Sequence, residues 1–162
     1  MRVESLACFL ANQKGYTMPA TAEGLNEGEF RSFLFGLPFV REYSISLMSF
    51  APGMVTIDLP FDERFSGPPT LFPASMVGTA GDVAAAASCL SLVPKGWRVA
   101  TLDFTVKMIG MAKGEKLRAK GRVLQNGRTN SIGAADVFAV QGREERLCGV
   151  VLATTRNFEL RD

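Results

Sequence analysis

The spacing of apolar and polar residues changes character several times along the chain, and each change marks an element. The first forty residues mix helix-forming stretches with Gly15, Pro19, Gly24, Gly28, Gly36 and Pro38, which predicts one or two short helices ending near Gly36. From Tyr43 the period shortens to two. Ser44-Ile45-Ser46-Leu47 alternates, Ala51-Pro52-Gly53 has turn chemistry, and Met54 to Leu59 alternates again, which reads as a β-hairpin. Phe61 to Phe72, with Gly67, Pro68 and Pro69, reads as a loop of about a dozen residues, a length at which loops are often functional.

Residues 73–92 break the pattern. They are small and apolar on every side, begin at Pro73 and stop before Pro94 and Gly96. The stretch predicts a helix with Pro73 in its first turn and an end near Val93. Without a charged stripe, such a helix belongs inside other structure rather than on top of it. Its one ionisable residue is Asp82, set among Gly78, Thr79, Gly81, Ala85 and Ala86. Cys89, on the same helix, reads as a small packed hydrophobe.

Four strand candidates follow. Over Val99 to Ile109, Ala100, Leu102, Phe104, Val106 and Met108 alternate with Thr101, Asp103, Thr105 and Lys107, which assigns the two sets to opposite faces. Lys113-Gly114-Glu115 turns the chain. Leu117, Ala119, Gly121 and Val123 then oppose Lys116, Arg118, Lys120 and Arg122, giving one basic outward face. Asn126-Gly127 is a strong hairpin signal leading to a strand over 131–140, and Gln141-Gly142-Arg143-Glu144 turns into a last strand over 147–158. Helix, hairpin, buried helix and a meander of three or four strands make an α+β order, a curved antiparallel sheet wrapped around one central helix.

Composition narrows the chemistry. The 162 residues contain no histidine, which excludes Ser-His-Asp and Cys-His catalysis and imidazole-based zinc sites. Cys8, Cys89 and Cys148 are odd in number and form no C-x-x-C pair, so neither a disulfide framework nor a thiolate metal site is expected. A reducing, cytoplasmic location fits. The residues from Met1 to Leu10 lack the pattern of a signal peptide, no apolar run approaches the roughly 20 residues of a membrane span, and no membrane partner is expected. Net charge is +2, but cations dominate residues 95–128 and acids dominate 1–94. That local excess suits a small phosphate-bearing ligand better than nucleic acid.

Three features in order along the chain resemble the hotdog-fold thioesterases of the phenylacetate-degradation, PaaI-like group. They are Asp82 on the helix; Thr101-Leu102-Asp103-Phe104 with Gly114-Glu115; and Gly121-Arg122-Val123 through Gly127-Arg128-Thr129. The resemblance spans roughly residues 30 to 158. It implies one structural domain, with a helical segment over 1–42 and a hotdog unit over 43–162. It also implies homodimers or tetramers with sites at the subunit boundary, and acyl-CoA thioester hydrolysis with no metal or cofactor other than the coenzyme A of the substrate.

In the resembled family a helix-borne acid is general base or nucleophile, and Asp82 matches it. A carboxylate in an apolar setting has the raised basicity this needs. The family's His-Gly-Gly segment falls on Pro73, Ala74 and Ser75, all three of which depart from it, as do Gly67 at a frequent Asn and Gly110-Met111 at an Arg-Pro. The oxyanion donor is a backbone N–H, which Ala74 still supplies. Ser75 and Thr79 either orient substrate or make local backbone bonds. Phe65, Leu71, Phe72 and Met76 either contact an apolar acyl group or seal a dimer core. Gly127 and Arg128 are the candidate contact for a CoA phosphate. The alternative is a non-catalytic hotdog protein binding acyl-CoA or an acyl carrier protein.

Overall fold

The computed structural model describes residues 24–160; Cys8 and the first part of the expected 1–42 segment lie outside the described residues. Asn26 opens helix α1 (Glu27–Gly36) with a capping box: its Oδ1 accepts from Glu29 N at 2.9 Å while the Glu29 carboxylate accepts from Asn26 N. Phe30 and Leu34 bury one face of α1, and the Phe30 ring lies 4.7 Å from that of Phe50. Helix α2 (Pro38–Glu42) follows at once, with proline in its first turn, where the missing N–H is no loss.

Strands β1 (Ser46–Ala51) and β2 (Met54–Pro60) form the expected hairpin. The loop after β2 contains one 3-10 turn, Glu63–Phe65. It is tied to the far end of the sheet by Phe72 N donating to Ala112 O and Gly114 N to Thr70 O. Helix α3 (Ala74–Leu90) is the central helix, and most of its residues are buried. It starts one residue later and ends earlier than its composition predicts. Pro73 has an extended ψ of 159° and acts as N-cap. At the other end, Ser91 ends the helix with its hydroxyl donating to Ser88 O and accepting from Gly53 N.

Four long strands complete the sheet: β3 (Trp97–Met108), β4 (Lys116–Asn126), β5 (Asn130–Gln141) and β6 (Glu144–Glu159). All pairings are antiparallel, in the order β1-β2-β4-β5-β6-β3. The meander is therefore β4-β5-β6 only. Strand β3 does not pair with β4 but crosses to the opposite edge beside β6, so that the sheet closes around α3 from both sides. Gly121 is what lets β4 approach: a Cβ there would fall 2.5 Å from the carbonyl carbon of Ala84 and 2.6 Å from Ser88 Oγ. Ser88 completes the junction, donating to Ala84 O and accepting from Val55 N.

The basic row of β4 is not a free solvated face. Lys116 and Arg118 both hold Asp58, Arg118 and Lys120 both hold Glu145, and Arg122 holds Asp136. The flanking strands β2 and β5 supply Asp58 and Asp136, and β6, one strand further across the sheet, supplies Glu145, an arrangement that residue spacing along β4 does not reveal. Burial opposes the charge on Asp58, but hydrogen bonds from Arg118 and Lys116 outweigh it and hold the carboxyl below its ordinary value. A depressed carboxyl stabilises the fold above its unfolded pKa, and that support is lost as pH falls through the folded value. Arg118→Met leaves the Asp58 side chain, 5% exposed, with Lys116 alone. We expect a loss of about 3 kcal/mol near pH 7 in urea unfolding, shrinking toward acid pH as Asp58 protonates.

Candidate active site

Ser75, Thr79, Asp82 and Ala86 fall along one stripe of α3, at the helical spacing that aligns side chains. Unlike most of the helix, this stripe is only partly covered. Asp82 is half-buried on it. Its Oδ1 accepts a hydrogen bond from Thr101 Oγ1 at 2.9 Å. Burial pushes the Asp82 carboxyl above its ordinary value, and the Thr101 hydroxyl pulls it part of the way back. The result is a carboxylate held in one orientation, more basic than a surface aspartate and with one oxygen still uncommitted.

Thr101 reaches the helix because β3 is irregular. The register with β6 slips between Thr101 and Asp103, a bulge that resets which residues point inward. On the far side of the bulge Phe104 faces the helix, where a Cβ added at Gly78 would lie 3.3 Å from its ring. Thr101 and Phe104 thus share the helix side, whereas strict alternation assigns them to opposite faces. Phe104 remains 43% exposed, an apolar wall beside Asp82.

Ala74 is the first residue of α3. The first helical hydrogen bonds run from Met76 and Val77 to Pro73 O, so the N–H groups of Ala74 and Ser75 point out of the helix end where the dipole favours negative charge. Ala74 and Ser75 are exposed. Asp82 lies eight residues further on, roughly 12 Å along the axis at 1.5 Å per residue. One chain therefore does not bring the Asp82 carboxylate and the Ala74 N–H to a single carbonyl group.

The remaining candidates divide between core and surface. Phe72 is 3% exposed and packs edge-on against Phe61 at 5.3 Å, Met76 is 6% exposed, and Phe65 packs edge-on against Tyr43. Thr79 donates its hydroxyl proton to Ser75 O at 2.9 Å, a local backbone bond. Burial raises the thiol pKa of Cys89 to about 11 and also raises that of Cys148, so neither supplies a thiolate at neutral pH. Gly127 and Arg128 sit in the β4–β5 turn, toward the end of the sheet opposite Ala74. Gly127 is required there by close approach, since a Cβ would meet Asn130 O at 2.5 Å. Arg128 borders a surface cavity of about 410 Å³ together with Trp97 and Arg156, two residues that strand patterning alone does not single out.

No protein-family model matches the chain. A curated protein, glutamate–tRNA ligase 1 of Mesorhizobium japonicum, is 30% identical over 142 residues. The match takes in 82% of this chain but only 28% of that protein, so the chain spans little more than a quarter of its length. Solved structures are similar over most of their length. A thioesterase family protein from Silicibacter pomeroyi matches with a TM-score of 0.77 and 24% identity, over 81% of this chain and 96% of its own. A thioesterase from Haemophilus influenzae matches at 0.74 and 16%, over 87% and 96%. A phenylacetic acid degradation-related protein from Ralstonia eutropha matches at 0.68 and 19%, over 78% and 98%. Together with the strand order, these likenesses establish the hotdog fold.

Proposed function

We propose that the chain hydrolyses acyl-CoA thioesters, with Asp82 as the base or nucleophile. The observation that carries this reading is the Asp82–Thr101 pair: an oriented, half-buried carboxylate of raised basicity on the uncovered stripe of an otherwise apolar helix. The thioesterase names of the structural neighbours support it. As general base, Asp82 takes a proton from water while the water oxygen bonds to the thioester carbonyl carbon. Negative charge then develops on the carbonyl oxygen, which the Ala74 N–H is suited to receive. The C–S bond breaks as the oxyanion collapses, and the departing CoA thiolate accepts the proton from Asp82.

The roughly 12 Å between Ala74 and Asp82 makes the site a property of two chains: the Asp82 of one with Ala74 of the partner subunit. Strand β3 is the free edge on the Asp82 side of the sheet. It exposes Leu102 and Phe104 at 58% and 43%, an edge that natural sheets pair or cover. Sedimentation should therefore give a homodimer, or a pair of dimers, at micromolar concentration. A stable monomer would remove the composite site. With Phe72 and Met76 committed to the core, the acyl group meets Phe104, so medium-chain and aryl acyl-CoAs should turn over faster than acetyl- or succinyl-CoA in a thiol-release assay.

A second reading has its own observation. Pro73, Ala74 and Ser75 occupy the positions of the resembled His-Gly-Gly segment, which removes a substrate-orienting imidazole. Acyl-CoA or acyl-carrier binding without turnover would select a non-catalytic binding protein, cytoplasmic in either case. Thiol release above the uncatalysed rate selects the hydrolase.

A further inference from the structure

We infer that Gly78 sets the length of acyl chain that the site accepts: it seats the Phe104 ring against α3, one turn from Asp82, and the seated ring ends the space open to the chain. The inference rests on the thioesterase reading for the identity of the ligand. It goes beyond that reading in assigning a residue of the helix and a chain-length limit to it.

Glycine is disfavoured in a helix interior relative to alanine, so the two glycines of α3, Gly78 and Gly81, each need a reason. Packing supplies one for Gly81. A Cβ there would fall 2.7 Å from Val151 Cβ and 3.2 Å from Val137 Cγ2, both fully buried in the core. Gly78 has a different neighbour. A Cβ at Gly78 would lie 3.3 Å from Phe104 Cε2 and 3.9 Å from Phe104 Cζ and Val106 Cγ1, which belong to β3 at the free edge of the sheet. Phe104 is 43% exposed. The absent Cβ therefore admits a ring that is not part of the core, and burial of apolar surface between helix and sheet does not account for it.

The place of that ring gives the glycine its use. Gly78 lies four residues before Asp82, on the same side of α3 and about 6 Å along the axis. The β3 bulge puts Thr101 on the Asp82 carboxylate and Phe104 over Gly78, so the ring stands one helical turn from the reacting group. An acyl chain whose carbonyl lies beside Asp82, and which extends toward the start of α3, runs into the ring. Val106 continues the apolar side of β3 behind it, in reach of the chain only when the ring is gone. With a methyl on residue 78 the ring must move off the helix, because 3.3 Å is tighter than ordinary van der Waals contact. The helix backbone blocks the other direction, so the ring moves into the space that the acyl chain uses.

Thiol release from hexanoyl-CoA and dodecanoyl-CoA by the full chain and two variants tests the assignment. Phe104→Ala should raise the dodecanoyl-to-hexanoyl ratio of kcat/KM roughly tenfold or more, the scale of a few methylenes in an apolar site. Gly78→Ala should lower the same ratio, by roughly threefold or more, and should melt no lower than wild type, because alanine favours the helix. A glycine with a purely structural role would change both substrates alike and leave the ratio where it was. S-hexyl-CoA and S-dodecyl-CoA, thioethers that are not hydrolysed, give the same comparison as binding affinities by calorimetric titration.

A ratio unchanged in Phe104→Ala, or a Gly78→Ala ratio equal to that of wild type, would overturn the inference. The two readings fail separately. Hydrolysis with one chain-length profile in all three proteins removes the limit set by Gly78 and keeps the hydrolase. Thioether affinities whose length preference shifts in opposite directions in the two variants, with no thioester turned over, keep the limit and remove the hydrolase.

Discussion

Asp82→Asn is expected to lower thioester hydrolysis by about a hundredfold to ten-thousandfold while leaving the protein as stable as wild type or more so at neutral pH. Asparagine matches the shape of aspartate, and its Oδ1 can still accept from Thr101 Oγ1, so the helix stripe and the β3 bulge are undisturbed. What it lacks is the ability to take a proton from water or to attack a carbonyl carbon. The stability sign follows from the raised carboxyl pKa. The folded state holds the proton more tightly than the unfolded chain, so stability falls as pH rises between the unfolded and folded pKa values, and the deficit persists above them. The asparagine variant has no such deficit.

The same shift places the acid limb of kcat/KM above the pH at which an ordinary aspartate titrates, because the base must be ionised to act. Thr101→Val removes the hydrogen bond that lowers the Asp82 pKa, so its acid limb should move further up, with a smaller loss at the alkaline plateau than in Asp82→Asn. Thermal melts and pH–rate profiles of the three proteins check both signs. Undiminished hydrolysis by Asp82→Asn would sink the assignment of Asp82.

How far the site was legible in the sequence depends on which forces place each part. The central helix announces itself because burial on all sides demands small apolar residues, and a lone aspartate in such a stretch stands out. Strands β4, β5 and β6 follow from alternation and turn chemistry. Strand β3 is different. Its residues alternate cleanly, yet a bulge between Thr101 and Asp103 turns Thr101 toward Asp82, and its place at the edge beside β6 depends on long-range pairing. Alternation encodes faces and not neighbours, so the acids that neutralise Lys116, Arg118 and Lys120 were invisible for the same reason. Phe72 and Met76 illustrate a second limit: large apolar residues flanking a helix start suit a pocket wall and a core equally, and only their burial in the folded chain distinguishes the two. Trp97 and Arg156 come from opposite ends of two strands that meet only in the folded sheet.

Gly121→Ala is expected to cost at least about 3 kcal/mol, at the upper end of overpacking penalties, which is roughly 10 °C in Tm for a domain of this size. Ordinary overpacking is relieved by rotating side chains, and here most of the obstruction is backbone. The added methyl would fall on the Ala84 carbonyl, with its carbon at 2.5 Å and Ser88 Oγ at 2.6 Å. Relief requires β4 to move away from α3. That movement would stretch the Ser88 junction, in which one hydroxyl donates to Ala84 O and accepts from Val55 N at 3.1 Å, and would loosen β2 along with β4. Asp82 lies less than one turn from Ala84, so activity should fall with stability even though Gly121 touches no reacting group. Gly36→Ala is the control. Gly36 ends α1, has no atom within 4 Å of an added Cβ, and does not have a positive φ. That substitution should be neutral or stabilise by about 0.5 kcal/mol through the unfolded chain. Urea unfolding of both variants measures the difference, and a Gly121→Ala midpoint equal to that of wild type would mean that β4 and α3 are not in contact as described.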